Sequence, residues 1–257
     1  MKNQFTLTTI ITGGLIWGAY ASADTVTIRA DEWFPFNGEP GAPRLGFMID
    51  IAKAAFARRG HQVDYQTMPW ERAIESVREG KYDCIVGAYV EDAPDFLFPT
   101  EEQGVDSTHF FMTAGKKWDY SIQKLANQRL AVISGYSYDS GGEIDAYIEA
   151  HANSPQVQVA TGNNALDKLI KMLLNDRVDL VLESPLVMKA KLHELGLTDK
   201  IVPVARLGEE IPVYVACSPA QPNRQKYVDI LSTEMPHLRK NGELAKILDK
   251  YGLQDWK

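Results

Sequence analysis

From Thr25 onward, apolar residues follow two alternating rhythms: short unbroken or every-second-residue runs, and stretches spaced three or four apart. This is the pattern of strands interleaved with helices. It is clearest across residues 67–99. Pro69 ends an extended run, and Trp70, Ala73, Ile74 and Val77 then share one helical face, with Glu71, Arg72, Glu75, Arg78 and Glu79 on the other. Gly80 ends that helix, and residues 82–89 form a short apolar run bounded by turn residues. Such a run suits a strand covered on both faces in a mainly parallel sheet. Asp92, Pro94 and Asp95 break the pattern again. In open α/β sheets ligands sit beyond the carboxyl ends of the strands, which directs attention to Gly87, Ala88, Tyr89 and the loop after them.

The rest of the chain repeats this logic. Val26, Ile28 and Ala30 alternate as a first strand that runs into an acidic and aromatic loop, residues 31–36, closed by Asn37 and Gly38. The rings of Trp33, Phe34 and Phe36 either cover the core beneath that loop or line a cleft. Ile51, Ala54, Ala55 and Phe56 share a helical face, with Asp50 placed to cap the helix start and complement its dipole. Val63, Tyr65 and Thr67 alternate as a second strand. An apolar run at 107–114, centred on Phe110 and Phe111, reads as the first crossing into a second lobe, where the pattern restarts. A strand at 129–133, a glycine-containing turn at 134–138 and a helix through Ile144 and Tyr147 come first; a strand at 157–160 and an amphipathic helix at 163–174 follow. The turn Asp176-Arg177-Val178-Asp179 and a strand ending at Glu183 then repeat the layout of residues 67–89. Residues 210–217 read as the strand returning to the first lobe, and the remainder as helical. The expected architecture is α/β with two lobes, 24–113 plus 211–257 and 114–210. Each would be a mostly parallel sheet flanked by helices, with two crossings between them.

Residues 1–23 read as a secretory signal peptide: Lys2, an apolar core over 7–20, and Ala21-Ser22-Ala23 as the small-x-small cleavage site. That core is shorter than the ~20 residues a membrane-spanning helix needs, so the expected product is a periplasmic protein without membrane insertion, beginning near Asp24. The formal charge of −7 includes Lys2, so the mature chain carries −7 − 1 = −8, which disfavours a nucleic-acid or anionic-membrane partner. Cys84 and Cys217 are too few for a disulfide framework, and each sits in an apolar run. Buried free thiols are expected, with one bridge permitted in an oxidising compartment. The five histidines show no metal-ligand spacing, and no G-x-S-x-G or phosphate loop occurs, so neither a metal nor a cofactor is expected.

The combination of PW-x-R-A at 69–73, G-K-Y-D at 80–83, a small apolar strand and a loop ending F-x-F-P at 96–99 resembles the bacterial extracellular solute-binding proteins of family three, the periplasmic receptors typified by amino-acid binders. The G-F-x-x-D run at 46–50 is similar to another signature of that family, and the likeness extends over essentially the whole mature chain. It implies a type II periplasmic-binding-protein fold. It also places Trp33 where the family's first-strand loop packs a ring on the ligand, with Phe34 replacing the first proline of that loop. Backbone amides near Tyr136 and Ser137 would receive a ligand carboxylate, and Glu183 would grip its ammonium. Glu183 has a second reading, as a helix cap before Leu186. Arg72 likewise has two: a solvated arginine on a polar helix face, or a guanidinium forked onto a ligand carboxylate at the sheet's carboxyl edge. The family's T-x-x-R segment, whose arginine clamps the ligand's α-carboxylate, is represented here by residues 90–95, Val-Glu-Asp-Ala-Pro-Asp, with no basic residue.

Two functions follow from the resemblance. The first is capture of a small polar solute, an amino acid or related zwitterion, between closing lobes that hold it by Trp33, Trp70, Arg72, Ala88, Tyr89, Tyr136, Ser137 and Glu183, for an inner-membrane ABC permease or a sensor. The second is an enzyme on the same scaffold, resembling the periplasmic cyclohexadienyl dehydratases, with Glu183 or Glu32 as a general acid raised by burial.

Overall fold

The computed structural model describes residues 23–257; the signal-peptide reading therefore falls outside the described residues, apart from its last position. Among the described residues eight strands are interleaved with eight α-helices, largely as the apolar rhythm predicts. In the N-terminal part these are β1 (Thr25–Ala30), α1 (Phe47–Ala57), β2 (Gln62–Thr67), α2 (Trp70–Arg78) and β3 (Cys84–Ala88). β4 (Gly104–Thr113) leads to α3 (Ile122–Leu125), β5 (Leu130–Ile133), α4 (Glu143–His151), β6 (Val157–Ala160), α5 (Ala165–Leu174), β7 (Leu180–Glu183) and α6 (Pro185–Glu194). β8 (Ile201–Cys217) then returns to α7 (Arg224–Lys240) and α8 (Glu243–Asp249).

The strands run in the order β2-β1-β3-β8-β4-β7-β5-β6. β1 pairs parallel with β2 and β3, and β5 parallel with β6 and β7, so the two ends of the sheet repeat one arrangement. Each such end is one lobe. The long antiparallel pair β4 and β8 joins them: Gly104–Asp106 faces 211–213 on the N-terminal side, and 108–113 faces 201–207 on the other, with a register shift at Asp106/Thr108.

The repeated turns have a shared structural cause. Asp83 accepts hydrogen bonds from the Thr27 amide at 2.8 Å and the Thr27 hydroxyl at 2.6 Å, tying the turn before β3 to the start of β1. Asp179 does the same before β7, accepting from the Arg129 amide at 2.9 Å and its guanidinium at 2.9 and 2.8 Å. Both aspartates fasten a buried strand to its neighbour, which explains why the motif recurs.

Two expectations are corrected. Cys84 and Cys217 form a disulfide and are not free thiols. They are directly opposed on the antiparallel strands β3 and β8, a register that a chain separation of 133 residues conceals in sequence. The returning strand starts at Ile201, well before residue 210, because the exposed Gly208, Glu209 and Glu210 interrupt its apolar pattern without interrupting its ladder.

Candidate functional site

The carboxyl ends of β1 and β3 on one lobe face those of β5 and β7 on the other. Local chain geometry determines which side chains reach that cleft. After β1, Trp33 and Asn37 bridge to each other, and Trp33 stacks on the fully buried Phe36 with ring centroids 4.1 Å apart. Asn37 is held by donating to the Asp31 carbonyl at 2.6 Å and to the Tyr65 hydroxyl at 3.2 Å, which leaves its Oδ1 pointing away from both. Gly87 makes this packing possible. At φ 84° it sits in the left-handed region, and a Cβ there would lie 3.1 Å from Asn37 Oδ1 and 3.4 Å from Trp33. Opposite, Ser184 caps α6 by accepting from the Val187 amide at 3.5 Å, with Pro185 opening the helix. The capping alternative for Glu183 thus falls to its neighbour, and Glu183 projects into the cleft from the last position of β7.

Hydrogen bonds join the walls directly. Trp33 Nε1 donates to Glu183 Oε1 at 2.9 Å, and the Tyr136 hydroxyl donates to Asp31 Oδ2 at 2.6 Å. The Ser137 amide donates to Asp92 Oδ1 at 3.2 Å, and the Ser134 hydroxyl donates to Glu71 Oε1 at 2.8 Å. The lobes are closed, with two chambers between them. The inner one has a volume of about 20 Å³ and is walled by Trp33, Trp70, Tyr89, Tyr136 and Tyr138 with Asp31, Asp92 and Glu183. The outer one, about 220 Å³, shares Asp31, Trp33, Tyr136 and Glu183 with it and adds Glu32, Asp167, Lys191 and Glu194.

The electrostatics are one-sided. Among the described residues no lysine, arginine or histidine lines the inner chamber. Burial pushes the carboxyls there upward: Asp31 and Asp92 each to about 7, and Glu183 to about 8 despite its hydrogen bonds from Trp33 and the Ser184 amide. Asp106, behind them, rises to about 6 for the same reason while accepting from the hydroxyls of Ser184 at 2.6 Å and Tyr89 at 2.9 Å. In the outer chamber Lys191 is engaged with Glu194 at 2.8 Å and lies 3.8 Å from Glu32. Among the described residues no group of three or more histidine, cysteine or acidic side chains is arranged to hold a metal ion.

Of the residues singled out from sequence, Trp33, Trp70, Tyr89, Tyr136, Ser137 and Glu183 line the inner chamber together. Ala88 is fully buried between Gly87 and Tyr89, which do line it. Arg72 is exposed and lines neither chamber. The expected carboxylate-receiving amides are engaged within the chain, Tyr136 N with the Ile133 carbonyl at 3.4 Å and Ser137 N with Asp92. The helix start beyond them is likewise satisfied, since Asp139 and Asp145 accept from the amides of Gly142, Ile144, Tyr138 and Gly141. Sequence reasoning did not single out Asp31, Asn37, Asp92 or Asp106 as site residues. The one available signal was position, because Asp31 directly follows β1 and Asp92 lies in the turn after β3, both at the carboxyl edge.

Residues 26–93 match the family model of the bacterial extracellular solute-binding proteins, family 3. Over 230 residues the chain is 20% identical to the arginine-binding extracellular protein ArtP of Bacillus subtilis strain 168, covering 86% of this chain and 82% of that protein. Among solved structures, it superposes with a TM-score of 0.72 on a histidine kinase sensor domain similar to periplasmic binding proteins, at 16% identity over 88% of this chain and 95% of that one. An ancestral arginine-binding protein bound to arginine gives a TM-score of 0.69 at 19% identity, over 88% and 97% of the two chains. A structure from work on glutathione import in Streptococcus mutans through GshT and the cystine importer TcyBC gives 0.72 at 20% identity, over 91% and 98%.

Proposed function

We propose, on the premise that the chain is a bacterial extracellular solute-binding protein of family 3, that it captures a small polar solute between its two lobes and delivers it to an inner-membrane importer of the ABC type. The observation that carries this reading is the cleft itself: strand ends from both lobes meet there, and hydrogen bonds link the walls without a covalent tie. Such contacts exchange readily for contacts to a ligand as the lobes open and close. The flexing points would be where the β4–β8 ladder shifts register, close to the division of 24–113 plus 211–257 from 114–210. Relatives that bind arginine make an amino acid or similar zwitterion the first solute to try. Family membership goes with a periplasmic or extracellular location, and secretion would follow cleavage after Ala23. Among the described residues no helix is long and apolar enough to cross a membrane.

Native mass spectrometry of the protein isolated from the periplasm tests the reading: a retained small molecule lost on denaturation supports it. A protein that retains nothing, and whose melting temperature no small solute raises, contradicts it. One observation favours a second reading, the dehydratase-like enzyme: Glu183 is a buried carboxyl raised to about 8, suited to giving up a proton. Release of ultraviolet-absorbing phenylpyruvate from prephenate would mark turnover, and its absence leaves the binding reading alone.

A further inference from the structure

The buried side-chain polar atoms left without partners in the cleft are all oxygens. Asn37 Oδ1 and Glu183 Oε2 line the inner chamber, are buried, and have no hydrogen-bond partner; the residues are 0% and 2% exposed. Asp167 Oδ1, also buried and without a hydrogen-bond partner, belongs to the outer chamber. Asn37 Oδ1 is an acceptor, and the two carboxyl oxygens are acceptors whenever their groups are ionised. The Asn37 orientation is fixed, because its NH2 group donates to the Asp31 carbonyl, which cannot donate in return. Among the described residues one further buried polar side-chain atom lacks a partner, Trp118 Nε1, and it lines neither chamber. A buried acceptor left without a donor is costly, so with Glu183 ionised the chamber suits a group that only donates.

Among the described residues the inner chamber also lacks the counterpart that a carboxylate would need. The Ser137 amide already receives one, from Asp92 on the opposite wall, and Arg72 lies outside both chambers. Size points the same way. About 20 Å³ accommodates one water-sized group, which an ammonium is, whereas a vicinal ammonium and carboxylate are not. The aromatic residues Trp33, Trp70 and Tyr136 line the chamber, and aromatic rings are compatible with a cation beside them. The outer chamber has room for an aliphatic body, and its Glu32, Asp167 and Glu194 outnumber Lys191.

We infer that the solute is an organic amine cation without a carboxylate, its ammonium seated in the inner chamber against Glu183 Oε2 and Asn37 Oδ1 and its remainder lying in the outer chamber. Asp92 occupies on the protein the place that a zwitterion's own carboxylate would take. This rests on the solute-binding reading and narrows it. The raised carboxyls agree with it, since a cation is the partner their burial lacks.

The test uses pairs that differ only in the carboxylate: agmatine against arginine, and 1,5-diaminopentane against lysine, titrated calorimetrically into the purified protein at pH 8. In at least one pair the amine is expected to bind tenfold or more tightly than the amino acid. Glu183→Gln should weaken that binding at least tenfold, and Asp92→Ala, which frees the Ser137 amide, should narrow the preference between pair members. Because Asp92 also accepts from the Tyr89 amide at 2.8 Å, the folding of that variant is checked by its melting curve; the wild-type comparison stands without it. Tighter binding of the amino acid in both pairs overturns the inference and leaves the solute-binding reading intact. Failure of all four compounds also overturns it, and native mass spectrometry then separates the cases: a retained zwitterion or anion preserves the broader reading, while no retained solute of any class removes both.

Discussion

Glu183 concentrates the chemistry of the cleft in one side chain. Its carboxyl is raised from the ordinary glutamate value of 4.5 to about 8, chiefly by burial, with Asp106 and Asp31 adding repulsion. A folded-state value above the unfolded one means that the protonated form is favoured by folding. The associated stability is full below about 4.5 and disappears as pH rises through about 8. Asp31 and Asp92 act in the same direction, with values of about 7. The melting temperature should therefore fall between pH 5 and pH 9. Glu183→Gln should be more stable than wild type at pH 9 and lessen the slope, as scanning calorimetry across that range would show; an unchanged slope would mean that the carboxyl is solvated. Trp33 lies just after β1 and Glu183 ends β7, both at the sheet's carboxyl edge, and it was the family resemblance that drew attention to them in sequence. Arg72 was not resolvable there, since periodicity assigned it to a polar face without saying whether that face looked into the cleft or away from it. Asp92 was visible only as a missing arginine, because its partner Ser137 lies 45 residues on, across the cleft.

At the scale of elements, helix and strand identities followed from apolar periodicity, while pairings of distant strands did not. The β3–β8 ladder illustrates this: local pattern predicts both strands, yet only the register Cys84↔Cys217 makes a disulfide of two buried cysteines. A bridge that closes a loop of 133 residues belongs with the larger entropic contributions, typically about 2–4 kcal/mol. Its loss in Cys84→Ala/Cys217→Ala should lower the melting temperature by roughly 5–15 °C in a chain of this size, read by circular dichroism. A shift under a degree would deny the bridge any role in stability. Gly87 supplies a second check on element geometry. Its φ of 84° and the 3.1 Å approach of Asn37 Oδ1 to a Cβ imply that Gly87→Ala destabilises by roughly 1–3 kcal/mol. That variant should also disturb any ligand affinity, because the same contact positions Asn37 and Trp33. Chemical denaturation measures the first effect, and a neutral substitution would show that the bulge between Val86 and Ala88 relaxes freely.

The whole molecule couples these residues through closure. When the lobes meet, Asp31, Asp92 and Glu183 become buried with Asp106 behind them, and the charged groups facing Glu183 are Asp31 and Asp106, with Lys191 of α6 across the outer chamber beside Glu32, Asp167 and Glu194. Tyr136 and Tyr138 face it as well, but burial and the surrounding acids push both hydroxyls far above the pH range of interest, so they stay neutral donors. One lysine already held by Glu194 does not offset several carboxylates. Opening returns these carboxyls to water, where their charged forms are solvated, so each proton lost above pH 6 favours the open form more than the closed one. The radius of gyration from small-angle X-ray scattering should thus grow from pH 5 to pH 9 while the circular dichroism signal stays constant. Trp33→Phe, which removes the 2.9 Å bond to Glu183 but keeps a ring on Phe36, should shift that growth to lower pH, because a closing contact of about 1.5–3 kcal/mol to a charged or raised carboxyl is lost. Adding agmatine at pH 9 should reverse the expansion in wild type, as a cation between the carboxylates replaces the missing protons. Scattering curves that superpose at pH 5 and pH 9 would establish that closure is indifferent to the charge of the cleft.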